Sequence, residues 1–400
     1  MKKIGCAALS LLLFLLGGCS TGMDRENFSI RNTHYGIYDA DEHKIGEIDS
    51  YGILIQTDDS IIYNHLPDET SQEITDMDYY RYDFATNRSV KIGTIENWVY
   101  ESKYNTTVIG NTLYMLITTQ DFDNESESTL HLYKIDLESN GMSVVFSEKG
   151  AFMYNSMTSF GDKLYIVQIL NNRCDIIAYD TVSGTRQVLK RFEFDDAAGT
   201  GETIRQITSD DHTLVCLRLK IDNEQRTSLY LDRYTADMTL LESVDLSSIT
   251  SERTDLDPDD RENERRQGVS AFWVSGPLFY YENFSITRFL GKIENGSVTS
   301  MTETALSGTW GAAYEAVQNS DSIIFYEAFA PDNKIYWLDG DTGNFREASF
   351  KVADERYTIN NLSRDTRGNL LIYMGYEDPD TGETLEPRLY YVPLEELDFS

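Results

Sequence analysis

The sequence predicts an all-β protein, a seven-bladed β-propeller with four-stranded blades in which an N-terminal strand closes the last blade. The first observation is a four-part unit that recurs along the chain about every 45–50 residues. The second is the composition: aromatic residues make up 12% of the chain and include 26 Tyr, whereas Pro occurs only 7 times. The third is the alternation of apolar and polar residues within short runs, which is typical of half-buried strands.

The repeat is clearest when its second and third strand-like runs are aligned. The second runs are SIIYNH, NTLYMLI, DKLYIVQ, HTLVCLRL, GPLFYYE, DSIIFYE and GNLLIYMG. The third runs are YYRYDFATN, LHLYKIDLESN, DIIAYDTVSG, LYLDRYTADM, ITRFLGKIENG, KIYWLDGDTGN and RLYYVPLEEL. Four strands per unit at this period are typical of propeller blades, and the Asp, Asn and Gly clusters indicate hairpin turns. A pair of β-sandwiches is the alternative, but sandwich strands seldom repeat one unit so regularly.

The last unit lacks its fourth strand, because the chain stops soon after the third run. The segment 33–50, THYGIYDADEHKIGEIDS, precedes the first full unit and has no place in it. Propellers are often closed by a blade that combines both chain ends, which hides a strand edge that would otherwise promote aggregation. We therefore expect part of 33–50 to form the outer strand of the seventh blade.

Two turns resemble those of known propeller families. IIAYDTVSG resembles the turn of quinoprotein-type repeats, and IYWLDGDTG resembles the Tyr-Trp-Thr-Asp repeat, with Leu338 in place of Thr. These resemblances imply a propeller fold but do not imply a cofactor. We therefore predict no cofactor.

The N-terminus has the pattern of an export signal. Lys2 and Lys3 precede an apolar run from Ile4 to Leu16, which is shorter than the roughly 20 residues that a spanning helix needs. The run ends in Leu16-Gly17-Gly18-Cys19, which resembles the bacterial lipobox. The resemblance implies lipidation of Cys19 and cleavage before it; an ordinary secreted protein is the alternative. We expect a signal peptide over 1–18, a tether over 19–32 and a single propeller over 33–400, anchored at the outer face of the cell membrane.

The chain is strongly acidic, with a net charge of −33 that becomes −35 when Lys2 and Lys3 are removed. Such a surface repels nucleic acid, so we exclude DNA and RNA as partners. Five segments, 65–78, 120–128, 193–202, 246–268 and 377–387, together carry −21. In an up-and-down blade all five are expected on one side. That side would attract a basic protein or peptide, or bind a glycan or divalent ions; alternatively, these loops only keep the protein soluble.

Few residues indicate specific chemistry. Asp255, Asp257 and Asp259 have the alternating spacing of a calcium loop, but the Gly and Glu that such a loop requires are missing. They are therefore only weak metal candidates. No catalytic motif is present, and the five histidines are scattered along the sequence: His34, His43, His65, His131 and His212. Cys174 and Cys216 lie in strand-like runs, which favours two separate buried thiols over a disulfide.

These patterns favour a lipid-anchored, non-enzymatic binding or scaffolding module for a protein, peptide or glycan. The alternative is an envelope carbohydrate-active enzyme that uses carboxylates near the central channel. A third possibility is a sensor or assembly subunit of a membrane complex. A pocket at the channel mouth with converging carboxylates would favour the enzyme, whereas an open acidic rim would favour binding.

Overall fold

The computed structural model describes residues 31–399 except 58, 68–73, 100–105, 122–123, 151, 171–172, 196–199, 211, 225, 247–268, 284–287, 302–310, 314–321, 327, 341, 365–368 and 377–383. Within these residues the regular structure is β-strand, apart from one short 3-10 helix at Leu394–Glu396. The predicted sites Cys19, Asp255, Asp257 and Asp259 lie outside the described residues. No helix in the described part is long and apolar enough to cross a membrane.

Twenty-nine strands are described, and they form consecutive groups along the chain. The closing pair and the first two groups are β1 (Thr33–Tyr38), β2 (Lys44–Ser50); β3 (Gly52–Gln56), β4 (Ser60–His65), β5 (Ile74–Asp83), β6 (Arg88–Val99); β7 (Thr106–Ile109), β8 (Thr112–Asp121), β9 (Asn124–Asp136), β10 (Gly141–Gly150). The next two groups are β11 (Phe152–Phe160), β12 (Lys163–Leu170), β13 (Arg173–Asp180), β14 (Arg186–Asp195); β15 (Thr200–Ser209), β16 (Leu214–Ile221), β17 (Thr227–Tyr234), β18 (Leu240–Asp245).

The later groups follow the same plan. They are β19 (Val269–Ser275), β20 (Leu278–Asn283), β21 (Arg288–Glu294), β22 (Ser297–Ser300); β23 (Gly311–Ala313), β24 (Ser322–Tyr326), β25 (Lys334–Asp339), β26 (Phe345–Ser349); and β27 (Thr358–Arg364), β28 (Leu370–Gly375), β29 (Arg388–Val392). Each group is an antiparallel meander, and the first strands of neighbouring groups contact one another, for example β11 with β7 and β15.

The hydrophobic core is distributed between the groups. One buried cluster joins the first group to the second, through side chains such as Ile62 and Leu113, and similar clusters join each later pair. A last cluster joins the final group back to the first and contains Ile37, Ile61 and Leu371. A ring of sheets that pack face to face is the arrangement of a β-propeller. The predicted all-β propeller class is therefore confirmed, whereas the number of blades stays a prediction.

The third strand of four groups ends in the same turn. Asp83, Asp136, Asp180 and Asp339 end these strands, and the carbonyl of each accepts the amide of the residue four positions later. That later residue is Asn87, Asn140, Gly184 or Gly343, and each has φ between 54° and 70°. Asn and Gly adopt this left-handed conformation at low cost, which explains the D-x-x-x-N/G pattern of the repeats.

The N-terminal segment closes the last group, as the sequence predicts, but with two strands instead of one. β1 pairs with β29 in parallel, with Gly36 opposite Arg388 and Tyr38 opposite Tyr390. β2 then pairs antiparallel with β1 and becomes the outer edge. β2 has to lead the chain to the start of β3, and β1 precedes β2 in an antiparallel hairpin. β1 therefore runs in the same direction as β29.

Candidate functional site

Antiparallel order defines two sides of the molecule. The loop side carries the loops between second and third strands and the connections between groups, and the hairpin side carries the other turns. The described strands that flank each of the five predicted acidic segments meet them on the loop side; 68–73, 122–123, 196–199, 247–268 and 377–383 lie outside the described residues. Exposed carboxylates on described parts of this side are Asp49, Asp76, Glu96, Glu193, Asp195, Glu224, Asp245, Asp332, Glu355 and Glu386.

Carboxylates on the hairpin side have a structural role. Asp136 and Asp180 each accept two backbone amides of their own turn at 2.8–3.1 Å, and Asp83 accepts the amide and hydroxyl of Thr86 at 2.7 Å. These hydrogen bonds lower the pKa of all three carboxyl groups. Turn-forming carboxylates also occur on the loop side, where Asp222 accepts the amides of Glu224 and Arg226 at 2.8 and 3.0 Å.

Two of the scattered histidines come together at the loop side of the closing strands. His34 Nδ1 lies 2.8 Å from the Asp49 carboxylate, and its Nε2 lies 3.4 Å from Glu386. His65 Nδ1 lies 2.9 Å from the backbone carbonyl of Asp49. Lys44 completes the cluster, 3.7 Å from Glu386. The cluster joins β1, β2 and the segment before β29, so it supports closure of the last group. His43, His131 and His212 lie elsewhere and do not join it.

An open cleft of about 410 Å³ lies beside this cluster. Residues 31–34 form one wall, and residues 384–387 form the other. Asn32 anchors the first wall, because its side chain exchanges two hydrogen bonds with the backbone of Leu66 at 2.8 and 2.9 Å. Tyr357 anchors the second wall by donating its hydroxyl to the carbonyl of Glu386 at 3.0 Å. Arg31 lies on one wall, and Glu386, which is 3.4 Å from His34, lies on the other.

Arg388 stabilises the junction behind the cleft. Its guanidinium lies 4.1 Å from the ring of Tyr357 and 5.0 Å from the ring of Tyr38, and it donates to the hydroxyl of Tyr390 at 3.0 Å. The Tyr38 and Tyr390 rings stack with centroids 5.3 Å apart. Cation–π contacts of this kind join the closing strand to the last group.

The buried carboxylates among the described residues, Asp78, Asp175 and Asp232, are all paired. Asp232 is fully buried and accepts hydrogen bonds from Arg218, Ser243 and Tyr234 at 2.5–3.0 Å. Asp175 is 2% exposed and binds Arg191 through two atoms at 2.6 and 3.0 Å. Such pairing satisfies charges that would be costly to bury alone, so these residues support the sheets and offer no reactive group.

The alternative of a carbohydrate-active enzyme needs two carboxylates about 5–9.5 Å apart across a substrate. The first strand of each group lines the centre of the ring. In the described parts of these strands, Glu202 is the only carboxylate. Glu202 lies 3.3 Å from Arg218 and 3.8 Å from Lys220, so it is neutralised by ion pairs. The geometry of the described strands thus gives no support to this alternative.

The cysteines and possible metal ligands bear on redox and metal chemistry. Cys174 and Cys216 are free and fully buried, which confirms the prediction of two separate thiols. Burial raises the pKa of both thiols and keeps them unreactive. Among the described residues, no group of three or more His, Cys, Asp or Glu side chains is arranged to hold a metal ion.

Comparison with known proteins shows similarity in fold alone. No protein family matches the chain by sequence, and no curated protein sequence matches it either. The chain is similar to the oligogalacturonate lyase of Vibrio parahaemolyticus, with 13% identity and a TM-score of 0.42 over 86% of this chain and 94% of that one. It is also similar to TolB of Acinetobacter baumannii, with 13% identity and a TM-score of 0.34 over 82% of each chain. Both are propeller-type proteins. Because both TM-scores are below 0.5, the fold of this chain is assigned from its own strand pairing.

Proposed function

We propose that this protein is a lipid-anchored binding module that presents its loop side to a basic segment of a partner protein at the outer face of a membrane. The observation that carries the proposal is the acidic sequence of the five segments that connect strands on the loop side. Asp76, Glu193, Asp195 and Glu355 are exposed on described parts of this side.

One carboxylate of this side, Asp354, is paired with a neighbouring arginine. The Arg356 guanidinium donates to Asp354 at 2.8 and 2.9 Å and, with the Arg356 amide, lowers the pKa of that carboxyl to about 2. The five acidic segments carry −21 of the charge of the chain. A surface with a large net negative charge accelerates association with cationic partners, and salt screens it over about 8–10 Å at moderate ionic strength.

The test uses a fluorescent Lys-rich peptide as probe, with binding kinetics measured at low and moderate salt. Replacing Asp76 and Glu355 by their amides should slow association about three- to tenfold and affect dissociation less. The matched control replaces Glu138 and Asp162 on the hairpin side by their amides and should leave the association rate unchanged. Equal rates for both variants, or affinity that does not change with salt, would mean that the loops only confer solubility or that the ligand is a neutral glycan.

Lipid attachment supports placement of this module at a membrane. The Leu16–Cys19 pattern implies a diacylglyceryl group on Cys19, and acyl chains contribute about 0.8 kcal/mol per buried methylene to membrane binding. Cys19→Ala should therefore release the protein from membranes or leave the precursor uncleaved. The readout is membrane fractionation together with the mass of the N-terminal peptide. Normal processing with unchanged membrane retention would contradict this part of the proposal.

A further inference from the structure

His131 lies between two hydroxyl groups on the sheet of the second group of strands. Its Nδ1 is 2.7 Å from the Oγ of Ser147 on β10, and its Nε2 is 2.9 Å from the Oγ1 of Thr119 on β8. Both ring nitrogens are therefore engaged by hydroxyl groups. This row of three side chains plays no part in ring closure or in the acidic loop side.

The row lies on the face of the second group that packs against the first group. Ser147 on β10 and Ile117 on β8 are both opposite His131 in the strand register. Ile117 belongs to the core cluster between the first and second groups, so the side chains at this register share that face. Glu148, the next residue after Ser147, pairs with Arg186 of the third group on the other face, as the alternation of a strand requires.

Burial keeps His131 in the form that accepts a proton. Desolvation lowers the pKa of His131 below its usual 6.5, so the imidazole is neutral at pH 7. A neutral imidazole has one N–H donor and one acceptor nitrogen. When Nε2–H donates to Thr119, the lone pair of Nδ1 accepts the hydroxyl of Ser147. A base that faces a hydroxyl and is oriented by a third group is the arrangement of an activated nucleophile.

Ser147 is accessible because β10 is the outer edge of its sheet. β10 ends the strand order of that sheet, and Ser147 is exposed. The amides of an edge strand point alternately towards the partner strand and towards solvent, so the amide of either Ser147 or Glu148 points outwards. An outward amide beside the hydroxyl is the kind of donor that stabilises an oxyanion. The nucleophile, the base and a donor therefore lie together at an open edge that a small ester can reach.

We propose that Ser147 is a nucleophile that takes an acyl group from a small activated ester, with His131 as its general base and Thr119 as the residue that positions the imidazole. The Ser147 oxygen forms a bond to the acyl carbon, and its proton passes to Nδ1 of His131. The bond between that carbon and the alcohol oxygen breaks, and the alcohol leaves as its anion. The imidazolium then returns its proton to that anion or to solvent. This activity is separate from the proposed binding of basic segments.

The experiment treats the full chain with p-nitrophenyl acetate and follows both p-nitrophenolate release and the acetylation of individual residues by peptide mass spectrometry. The tryptic peptide 135–149 contains Ser139, Ser143 and Ser147, so its fragments compare three serines of one peptide. Ser143 is the matched control, because it is exposed on the same strand but lies opposite Lys134. Acetylation of Ser147 should be at least about a hundredfold faster than acetylation of Ser143.

Substitutions test the three roles separately. Ser147→Ala should abolish the fast release of p-nitrophenolate, and His131→Gln should slow acetylation of Ser147 about a hundredfold because the base is lost. Thr119→Val should slow it about tenfold, and Thr119→Ser should restore it, because only the hydroxyl is needed to orient the ring.

The dependence of the rate on pH identifies the base. In wild type the rate of acetylation should rise with pH and level off above about pH 6.5, where the imidazole is neutral. His131→Gln should abolish that plateau. Four other titratable groups face His131 from the strands around it: Tyr133 on β9, Lys149 on β10, Glu96 on β6 and Tyr79 on β5.

Stability measurements separate reactivity from folding. Ser147→Ala and Ser143→Ala should have the same unfolding midpoint in urea, since each removes one exposed hydroxyl. Acetylation of Ser147 no faster than that of Ser143 in the wild-type protein would overturn the inference. A rate in His131→Gln equal to that of wild type would overturn it as well. Neither result would affect the proposed binding function, which depends on the charge of the loop side.

Discussion

Replacing Ile37 by Ala tests whether the closing strand determines the stability of the whole ring. Ile37 lies on β1 and is fully buried. It belongs to the cluster that joins the closing strands to both the last and the first group, with Ile48, Ile61, Leu371 and Leu389 among its members. A second cluster, between the last two groups, has Tyr38 and Ala40 packed at its edge.

The expected cost follows from this burial. Ile→Ala removes three carbon atoms, worth about 2.4 kcal/mol at roughly 0.8 kcal/mol per methylene. A residual cavity adds to this, and measured costs for such changes are about 2–5 kcal/mol. We expect a loss of about 3–4 kcal/mol, because sheets on both sides restrict collapse around the site. With unfolding entropy of about 2.1 cal/mol/K per residue, that loss lowers the Tm by roughly 4–5 °C for this length.

The assay is urea-induced unfolding followed by tryptophan fluorescence, with light scattering to detect association through an opened edge. Val144→Ala on the outer strand β10 is the control, because Val144 is 50% exposed and should change stability by less than about 0.5 kcal/mol. A loss below about 1 kcal/mol for Ile37→Ala would refute the reasoning, since the closing strand would then be peripheral. Deletion of 33–50 should have a larger effect in the same direction, with aggregation.

Three further predictions concern buried polar groups. Arg233 on β17 binds Asp210, in the turn between β15 and β16, and the carbonyl of Gly276 in the next group, and its side chain is 11% exposed. Arg233→Met should therefore lower the free energy of unfolding, measured in urea, by about 3 kcal/mol. Arg226→Met, at a side chain that is 71% exposed, should lower it by less than about 0.5 kcal/mol. Burial lowers the pKa of His131 below its usual 6.5, so the unfolded chain binds the proton first and stability should fall as the pH drops below about 6.5. His131→Gln should flatten that part of a plot of unfolding midpoint against pH, and an unchanged slope would contradict the assignment. Cys174 and Cys216 should resist a thiol reagent in the native protein and react fully in denaturant; rapid native labelling would show that the core between their groups opens.

Local patterns predicted much of the fold. The turn pattern D-x-x-x-N/G, as in 180–184, depends only on residues that are adjacent along the chain, so the sequence contains all of its information. Alternation within strands likewise predicts which face is buried. The role of 33–50 in closure followed from the missing fourth strand of the last unit.

Other features depend on contacts between segments that are far apart in the chain. The parallel pairing of β1 with β29, the pairing of His34 and His65 with Asp49, and the position of Arg388 between two tyrosine rings all join residues that the repeat pattern treats as independent. The repeat pattern describes each unit separately and does not specify how strands from the two ends of the chain pair.

Phe329 shows the same limit at a single residue. The sequence AFAPDN indicates a turn, but whether the backbone of Phe329 is left-handed depends on the hydrogen bonds of Ile359 and Asn333, which meet only in the folded chain. A sequence can show that an aromatic residue lies in a turn. Only the packed structure shows that the turn strains its backbone and leaves its ring exposed, because both depend on the neighbouring group of strands.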